Sequence, residues 1–142
     1  MKPVSALLKT RNTTLWHVSP QDTVFDALKV LAEHEVGALM VMDHGKLVGI
    51  ISERDYTRKI ALQGRSSKDT TVAEIMTRNV IAVTPATRTK DCMALMSQKK
   101  IRHLPVMDGD TVLGMISIRD IMDEIIADHE LTIAQLQSYI AS

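Results

Sequence analysis

The chain has 142 residues, 45% of them hydrophobic but only 3% aromatic, and its 17 basic and 17 acidic side chains cancel. That length holds one domain or two small subdomains sharing a core; the apolar share excludes a disordered chain, and the charge balance argues against a polyanion-binding surface. One cysteine excludes an internal disulfide framework, no apolar run reaches the roughly 18 residues of a membrane span, and the start M-K-P-V-S-A-L-L-K-T is no secretory signal, so a cytoplasmic protein is expected.

In chain order, Val4, Leu7 and Leu8 share one face of a short helix over residues 4–10, and polar residues 11–14 read as a loop. Residues 15–18 form a short strand closed by Ser19-Pro20. Thr23 with Asp26 three positions later is a capping-box start, Asp replacing the usual Glu or Gln. Val24, Ala27, Leu28 and Leu31 then follow i, i+3, i+4, i+7, which predicts an amphipathic helix with its exit at Gly37. Residues 38–42 are a continuous apolar strand, Asp43-His44-Gly45 a turn and residues 46–51 a second strand, close enough for a hairpin. Ser52 opens another helix to about Leu62, and polar residues 63–71 are a linker. The second half repeats this order: a strand over 80–83, a turn at Thr84-Pro85, a helix with Thr89, Cys92, Met93 and Met96 inward, strands over 104–107 and 112–116, and a last helix from Ser117. Met122, Ile125, Ile126, His129, Ile133, Leu136 and Ile140 keep helical spacing, so that helix runs past the domain with a stripe that either meets a partner or folds back.

The likeness of the halves is literal. Residues 18–55 match residues 83–120 without a gap at an offset of 65, with nine identities among the twenty positions that end at Asp55 and Asp120. Residues 4–8 resemble 72–76 at an offset of 68, so the first copy carries about three extra residues near 11–14. A repeat of about 60 residues is marginal alone, and the copies are expected to bury their apolar faces against each other.

Ser52-Glu53-Arg54-Asp55 and Ser117-Ile118-Arg119-Asp120 each follow a glycine and two apolar residues. Ser three residues before an acid at a helix start is first of all a capping box. Both copies also keep an arginine that a cap does not need. A cation behind a helix N-terminus suits a phosphate, and a neighbouring aspartate can accept two hydrogen bonds from a sugar cis-diol. Together they suggest a nucleotide held by ribose and phosphate. The five histidines, at 17, 34, 44, 103 and 129, show no metal-ligand spacing with Cys or acidic partners, so no metal site is expected. Cys92 reads as a buried inert thiol, and Trp16 as a core or dimer contact rather than an adenine stack.

The order strand–helix–strand–strand–helix, ending in G-I-I-S-E-R-D and G-M-I-S-I-R-D, with the strand opening H-L-P-V-M-D at His103, resembles the cystathionine β-synthase (CBS) domain; two in tandem resemble a CBS pair, or Bateman module. The resemblance runs from about Val4 to Ala127. It implies an α+β fold of two pseudo-twofold-related repeats, each β-α-β-β-α, packed through their sheets, with an extended C-terminal helix. The expected divisions are a first CBS domain over 4–66, a second over 72–128 and a helical extension over 129–142.

Such a pair would hold an adenosyl ligand (AMP, ADP, ATP, NAD or S-adenosylmethionine) in two clefts between the repeats. By resemblance, Asp55 and Asp120 take the ribose hydroxyls, Ser52 and Ser117 contact ribose or phosphate, and Arg54 and Arg119 contact phosphate. The adenine would meet main-chain groups near Thr77 and Ala82, His17 being the matched position in the first copy. Where a phosphate would end, the second copy has Lys99, Lys100, Arg102 and His103 against His34, Glu35, Gly37 and Ala38. Arg102 and His103 bias the second copy toward phosphate, Lys99 and Lys100 reading as a solvated helix end, so the sites are expected to be unequal. The expected function is a stand-alone regulatory module for energy sensing that reports adenine-nucleotide level through a homodimer or to a regulated partner protein, without a catalytic residue or catalytic cofactor. Membranes and nucleic acids are not expected partners. The competing readings are a dimerisation module with empty clefts and a nucleotide-processing enzyme, for which each copy offers one acid already assigned to ribose.

Overall fold

The computed structural model describes residues 2–9 and 16–141, so the expected loop over 11–14 and the first residue of the strand over 15–18 lie outside the described residues. Its elements are α1 (Val4–Lys9), β1 (His17–Val18), α2 (Val24–His34), β2 (Ala38–Asp43), β3 (Lys46–Ser52) and α3 (Glu53–Tyr56), which continues into a π-helical turn, Thr57–Ala61. After the linker come α4 (Val72–Ile75), α5 (Thr89–Lys99), β4 (His103–Asp108), β5 (Thr111–Ser117) and α6 (Ile118–Ala141).

The apolar period places the two long domain helices. In α2, Val24, Ala27 and Leu31 are buried, and the Thr23 hydroxyl accepts the Asp26 N–H at 3.1 Å. The matched Thr89, Cys92 and Met96 are buried in α5. Here Arg88 offers no side-chain cap; the Thr89 N–H and hydroxyl both donate to the Lys2 carbonyl, each at 3.0 Å. Both helices end in a left-handed residue, Glu35 (φ 53°) and Lys100 (φ 56°), so the exit expected at Gly37 comes two residues earlier.

β2–β3 and β4–β5 are antiparallel hairpins with the same irregularity at matched places, Val41/Met42 and Val106/Met107. β1 adds in parallel to β2. The strand expected over 80–83 shrinks to one parallel bridge, Val83 to Val106. The Val83 N–H donates to the Pro105 carbonyl at 3.0 Å and the Met107 N–H to the Val83 carbonyl at 2.8 Å. The next bond back along a parallel ladder needs an N–H at 105, which proline lacks; the first half has Met40 at that position.

Each half has its own core, and each core borrows a helix from the other half. Val72, Ile75 and Met76 pack with Val18, Val24, Leu31, Leu39, Val41 and Ile51 of the first half. Val4 and Leu7 pack with Val83, Cys92, Met96, Leu104, Val106 and Ile116 of the second. The docking bonds repeat as well. The Val72 N–H donates to the Asp22 carbonyl and the Val4 N–H to Thr87, both at 2.8 Å; Ala73 to Pro20 and Ser5 to Pro85 follow, both at 3.0 Å. Ala38 and Met40 are as buried as the Leu39 and Val41 that point into the first core. A Cβ at Gly37 would lie 3.4 Å from His103 Cε1, so the back of this sheet is packed toward the second half.

α6 buries Ile121 and Glu124 near its start; beyond these, Met122, Ile126, Ile133, Leu136 and Ile140 are exposed. Among the described residues no helix is long and apolar enough to cross a membrane.

Candidate ligand clefts

Both tetrads are capping boxes with the same bonding. The Asp55 N–H donates to Ser52 Oγ at 3.2 Å, while Asp55 Oδ2 accepts the Ser52 N–H at 3.0 Å and the Ser52 hydroxyl at 3.1 Å. At Ser117 and Asp120 the same three distances are 3.2, 2.7 and 3.0 Å. The box satisfies helix-end donors that would otherwise lack acceptors, and it fixes each carboxylate at the head of its helix. The other oxygen of Asp55, Oδ1, faces away from the cap. It lies 3.4 Å from the Thr77 hydroxyl and 3.2 Å from the Lys59 ammonium.

Thr77, expected with Ala82 beside an adenine of the second copy, thus meets Asp55 of the first through its hydroxyl, a pairing the sequence reading did not make. It is held there by its main chain: its N–H donates to the Ile50 carbonyl at 2.8 Å and its carbonyl accepts the Ile50 N–H at 3.0 Å. Gly49 allows this approach, since a Cβ there would lie 3.0 Å from the Thr77 oxygen and 2.7 Å from Met76 Sδ. At Gly114 a Cβ would lie 2.9 Å from Leu8 Cδ2. The glycine of each motif therefore admits the segment that crosses from the other half, a role the sequence reading left unassigned.

Arg54 spans the halves: its guanidinium donates to the Lys100 carbonyl at 2.9 Å, closing the C-terminus of α5, where a cation is favoured. Arg119 is exposed on the first turn of α6. Ala38 is buried opposite Ser52 in the ladder, and His103 is half-buried opposite Ser117. Burial holds the His103 imidazole below its ordinary value; the Asp120 carboxylate opposes this and the Arg102 charge adds to it. Arg102 accepts the Ile118 N–H on its carbonyl at 2.9 Å and exposes its side chain beside this box. Ser52, Asp55, Thr77 and Ala38 therefore gather at one box, and Ser117, Asp120, Arg102 and His103 at the other. Ala82 is exposed one residue before the bridge at Val83. His17 lines a separate hollow of about 410 Å³ with Ser19, Met40, Met42, His44 and Val112.

Lys59 was not anticipated. It lies four residues after Asp55 in the π-helical turn and also donates to the Ile75 carbonyl at 2.8 Å. A single helical lysine has no sequence signature that would mark it. Trp16 stacks on His34, ring centroids 3.4 Å apart and planes within 10°. The buried Cys92 thiol is pushed up to about 11 by burial and then by the Asp91 charge, so it is no nucleophile near neutral pH. Among the described residues no three His, Cys, Asp or Glu side chains are arranged to hold a metal ion.

The family description "CBS domain" matches twice, at residues 9–62 and 72–127. The mitochondrial CBS domain-containing protein CBSX3 of Arabidopsis thaliana is 45% identical over 131 residues, which are 89% of this chain and 63% of that protein, so the chain spans less than two thirds of that relative. The solved structure of a putative signal-transduction protein with CBS domains from Burkholderia ambifaria is similar at 47% identity and a TM-score of 0.87, over 89% of this chain and 96% of that one. The CBS domain pair of protein MJ0100, solved in complex with 5'-methylthioadenosine and S-adenosyl-L-methionine, is similar at 28% identity and a TM-score of 0.79, over 90% of this chain and 98% of that one.

Proposed function

The chain belongs to the CBS-domain family, with two repeats in tandem, and from that premise we propose that it is a regulatory module binding an adenosyl ligand at clefts built on Asp55 and Asp120. The observation that carries this reading is the bonding of Asp55. One carboxylate oxygen is committed to the helix cap, and the other is aimed at Thr77 on the crossing segment. A ribose diol would find there an acceptor whose orientation is already fixed, which lowers the ordering cost of binding. That a similar CBS pair was solved with two adenosyl compounds supports the ligand class.

In this reading Asp55 and Asp120 accept ribose hydroxyls, assisted by Ser52 and Ser117. Arg54, Arg119, Arg102 and His103 serve the rest of the ligand, and Thr77, Ala82, Ala38 and His17 border the base. The clefts are unequal, Lys59 marking the first and Arg102 with His103 the second. Binding regulates only if the ligand prefers one arrangement of the halves. The Arg54–Lys100 bond is the kind of cross-half contact that such a preference would make or break. The exposed stripe of α6 favours a homodimer as the unit that carries the signal onward.

Thermal melts and native mass spectrometry with AMP, ADP, ATP, NAD and S-adenosylmethionine test this. A ligand at a hundredfold its Kd adds about 2.7 kcal/mol, several degrees of Tm for a chain of this size. Asp55→Asn and Asp120→Asn should each remove one binding event while keeping most of the cap. No shift with any of the five would refute the reading, and product accumulating on long incubation would replace it with the enzyme.

A further inference from the structure

One stripe along α6 keeps a stricter period than an amphipathic helix needs. Met122, Ile126, His129, Ile133, Leu136 and Ile140 are spaced 4, 3, 4, 3 and 4 apart, a repeat of about 3.5 residues rather than about 3.6. In heptad terms Ile126, Ile133 and Ile140 are a positions, and Met122, His129 and Leu136 are d positions. The five apolar members are each more than half exposed. The domain holds the helix by the opposite face: the buried Ile121 and Glu124 are c and f positions, which point away from an a/d seam. The seam is therefore turned outward, and the body of the domain does not stand in front of it.

β-Branched Ile at every a position, with Met122 and Leu136 at d, is a combination that favours two parallel strands. We propose that α6 pairs through this seam with α6 of a second copy as a parallel, in-register coiled coil, which deepens the homodimer reading by naming its surface and its pairing. The flanking charges fit that orientation. In parallel register the e residues Asp123 and Glu130 stand opposite the g residues Ile118 and Ile125 of the other helix, so neither acid meets a like charge. Antiparallel packing sets e against e and brings Glu130 onto its own copy. His129 acts in the same direction. In parallel register it meets its counterpart, and one imidazole nitrogen can donate to the other; in the antiparallel match of a to d it lies against Ile133. A single polar layer fixes register at a cost in stability. The pattern stops at Arg119, the preceding a position, so the seam runs from Met122 to Ile140, about 28 Å. A strip of that length and one helix wide, about 10 Å, falls short of the roughly 800 Å² that each partner gives a standard interface, so the dimer forms and dissociates with concentration.

The test is sedimentation velocity of the full chain from micromolar to millimolar concentration, without ligand, so that a failed seam leaves the adenosyl reading standing and failed clefts leave the seam standing. A monomer–dimer equilibrium is expected. Ile133→Asp and Leu136→Asp should each weaken it at least tenfold, and His129→Leu should tighten it severalfold. Leu131→Asp is the control: Leu131 is 59% exposed against 58% for Leu136, but it is an f position and should leave the equilibrium within about twofold. A thiol–disulfide buffer reads the orientation. Leu136→Cys should cross-link to its own copy and Ala134→Cys, a b position, should not; the native Cys92 is buried and does not compete. The proposal is overturned if wild type stays monomeric, if the dimer ignores both aspartates and so rests on another surface, or if Leu131→Asp weakens it equally. It is also overturned if Leu136→Cys fails to cross-link while the aspartates still dissociate the dimer, which would make the pairing antiparallel.

Discussion

Alanine at Gly49 should damage the first cleft, whereas alanine at the matched Gly114 should be mild. A methyl at 49 would lie 2.7 Å from Met76 Sδ and 3.0 Å from both Met76 Cγ and the Thr77 carbonyl oxygen. The Met76 side chain can turn, but the Thr77 carbonyl cannot move alone, because Thr77 exchanges two backbone hydrogen bonds with Ile50, next to the substitution. Relief therefore pulls Thr77 away from Asp55. At 114 the close contact is the Leu8 terminal methyl at 2.9 Å, on a half-buried side chain that can change rotamer. Overpacking costs about 1–3 kcal/mol; the backbone clash should sit at about 2–3 kcal/mol and the side-chain clash below about 1 kcal/mol. At roughly 3–5 °C per kcal/mol for a chain of this length, Gly49→Ala should melt about 6–15 °C lower and Gly114→Ala less than about 5 °C lower. Calorimetric melts measure both directly, and a titration with the adenosyl ligand reports on the first cleft. Equal melting points for the two variants, or a greater loss at 114, would refute the distinction between backbone and side-chain crowding.

Val4→Ala and Val72→Ala each remove two methylene-sized groups from a fully buried site and should cost about 1.5–3 kcal/mol. Hydrogen exchange should then show Val4→Ala loosening β4–β5 and Val72→Ala loosening β2–β3; the reverse pattern would rule out the exchange of helices. His103 is buried below its ordinary value of 6.5, so the unfolded chain takes its proton first, and the stability it contributes above that value is lost as pH falls below it. Urea midpoints measured from about pH 7.5 down to about pH 5.5 should fall less in His103→Gln than in wild type, and parallel curves would remove His103 from the acid response. Cys92 should stay silent to a thiol reagent in the native chain and react at once after denaturation; rapid native labelling would contradict its burial.

What the sequence made legible was what short-range pattern encodes. The periods of α2 and α5, the two hairpins and both capping boxes need only neighbours within a few residues, and the offset of 65 confirmed each reading by its copy. The strand over 80–83 failed because its length depends on an N–H at residue 105, on another strand, where proline stands. The likeness of residues 4–8 to 72–76 was visible, but not which core each enters, because apolar spacing gives a buried face and no address. The Arg54–Lys100 bond joins residues 46 apart and has no local signature. Lys59 was invisible for the same reason, its partners being an aspartate one turn back and a carbonyl across the linker.

The exchanged helices also set a timetable. The first core is complete once the ribosome has released residues to about Met76, and it can close while the second half is still being made. α1 emerges ahead of both cores and cannot bury Val4 until Ile116 and Ile121 follow, on the order of 5–20 s later at about 5–20 residues per second. Throughout that interval the apolar face of α1 stays without its core, and a chain cut at the linker would leave each fragment holding a piece of the other's interior.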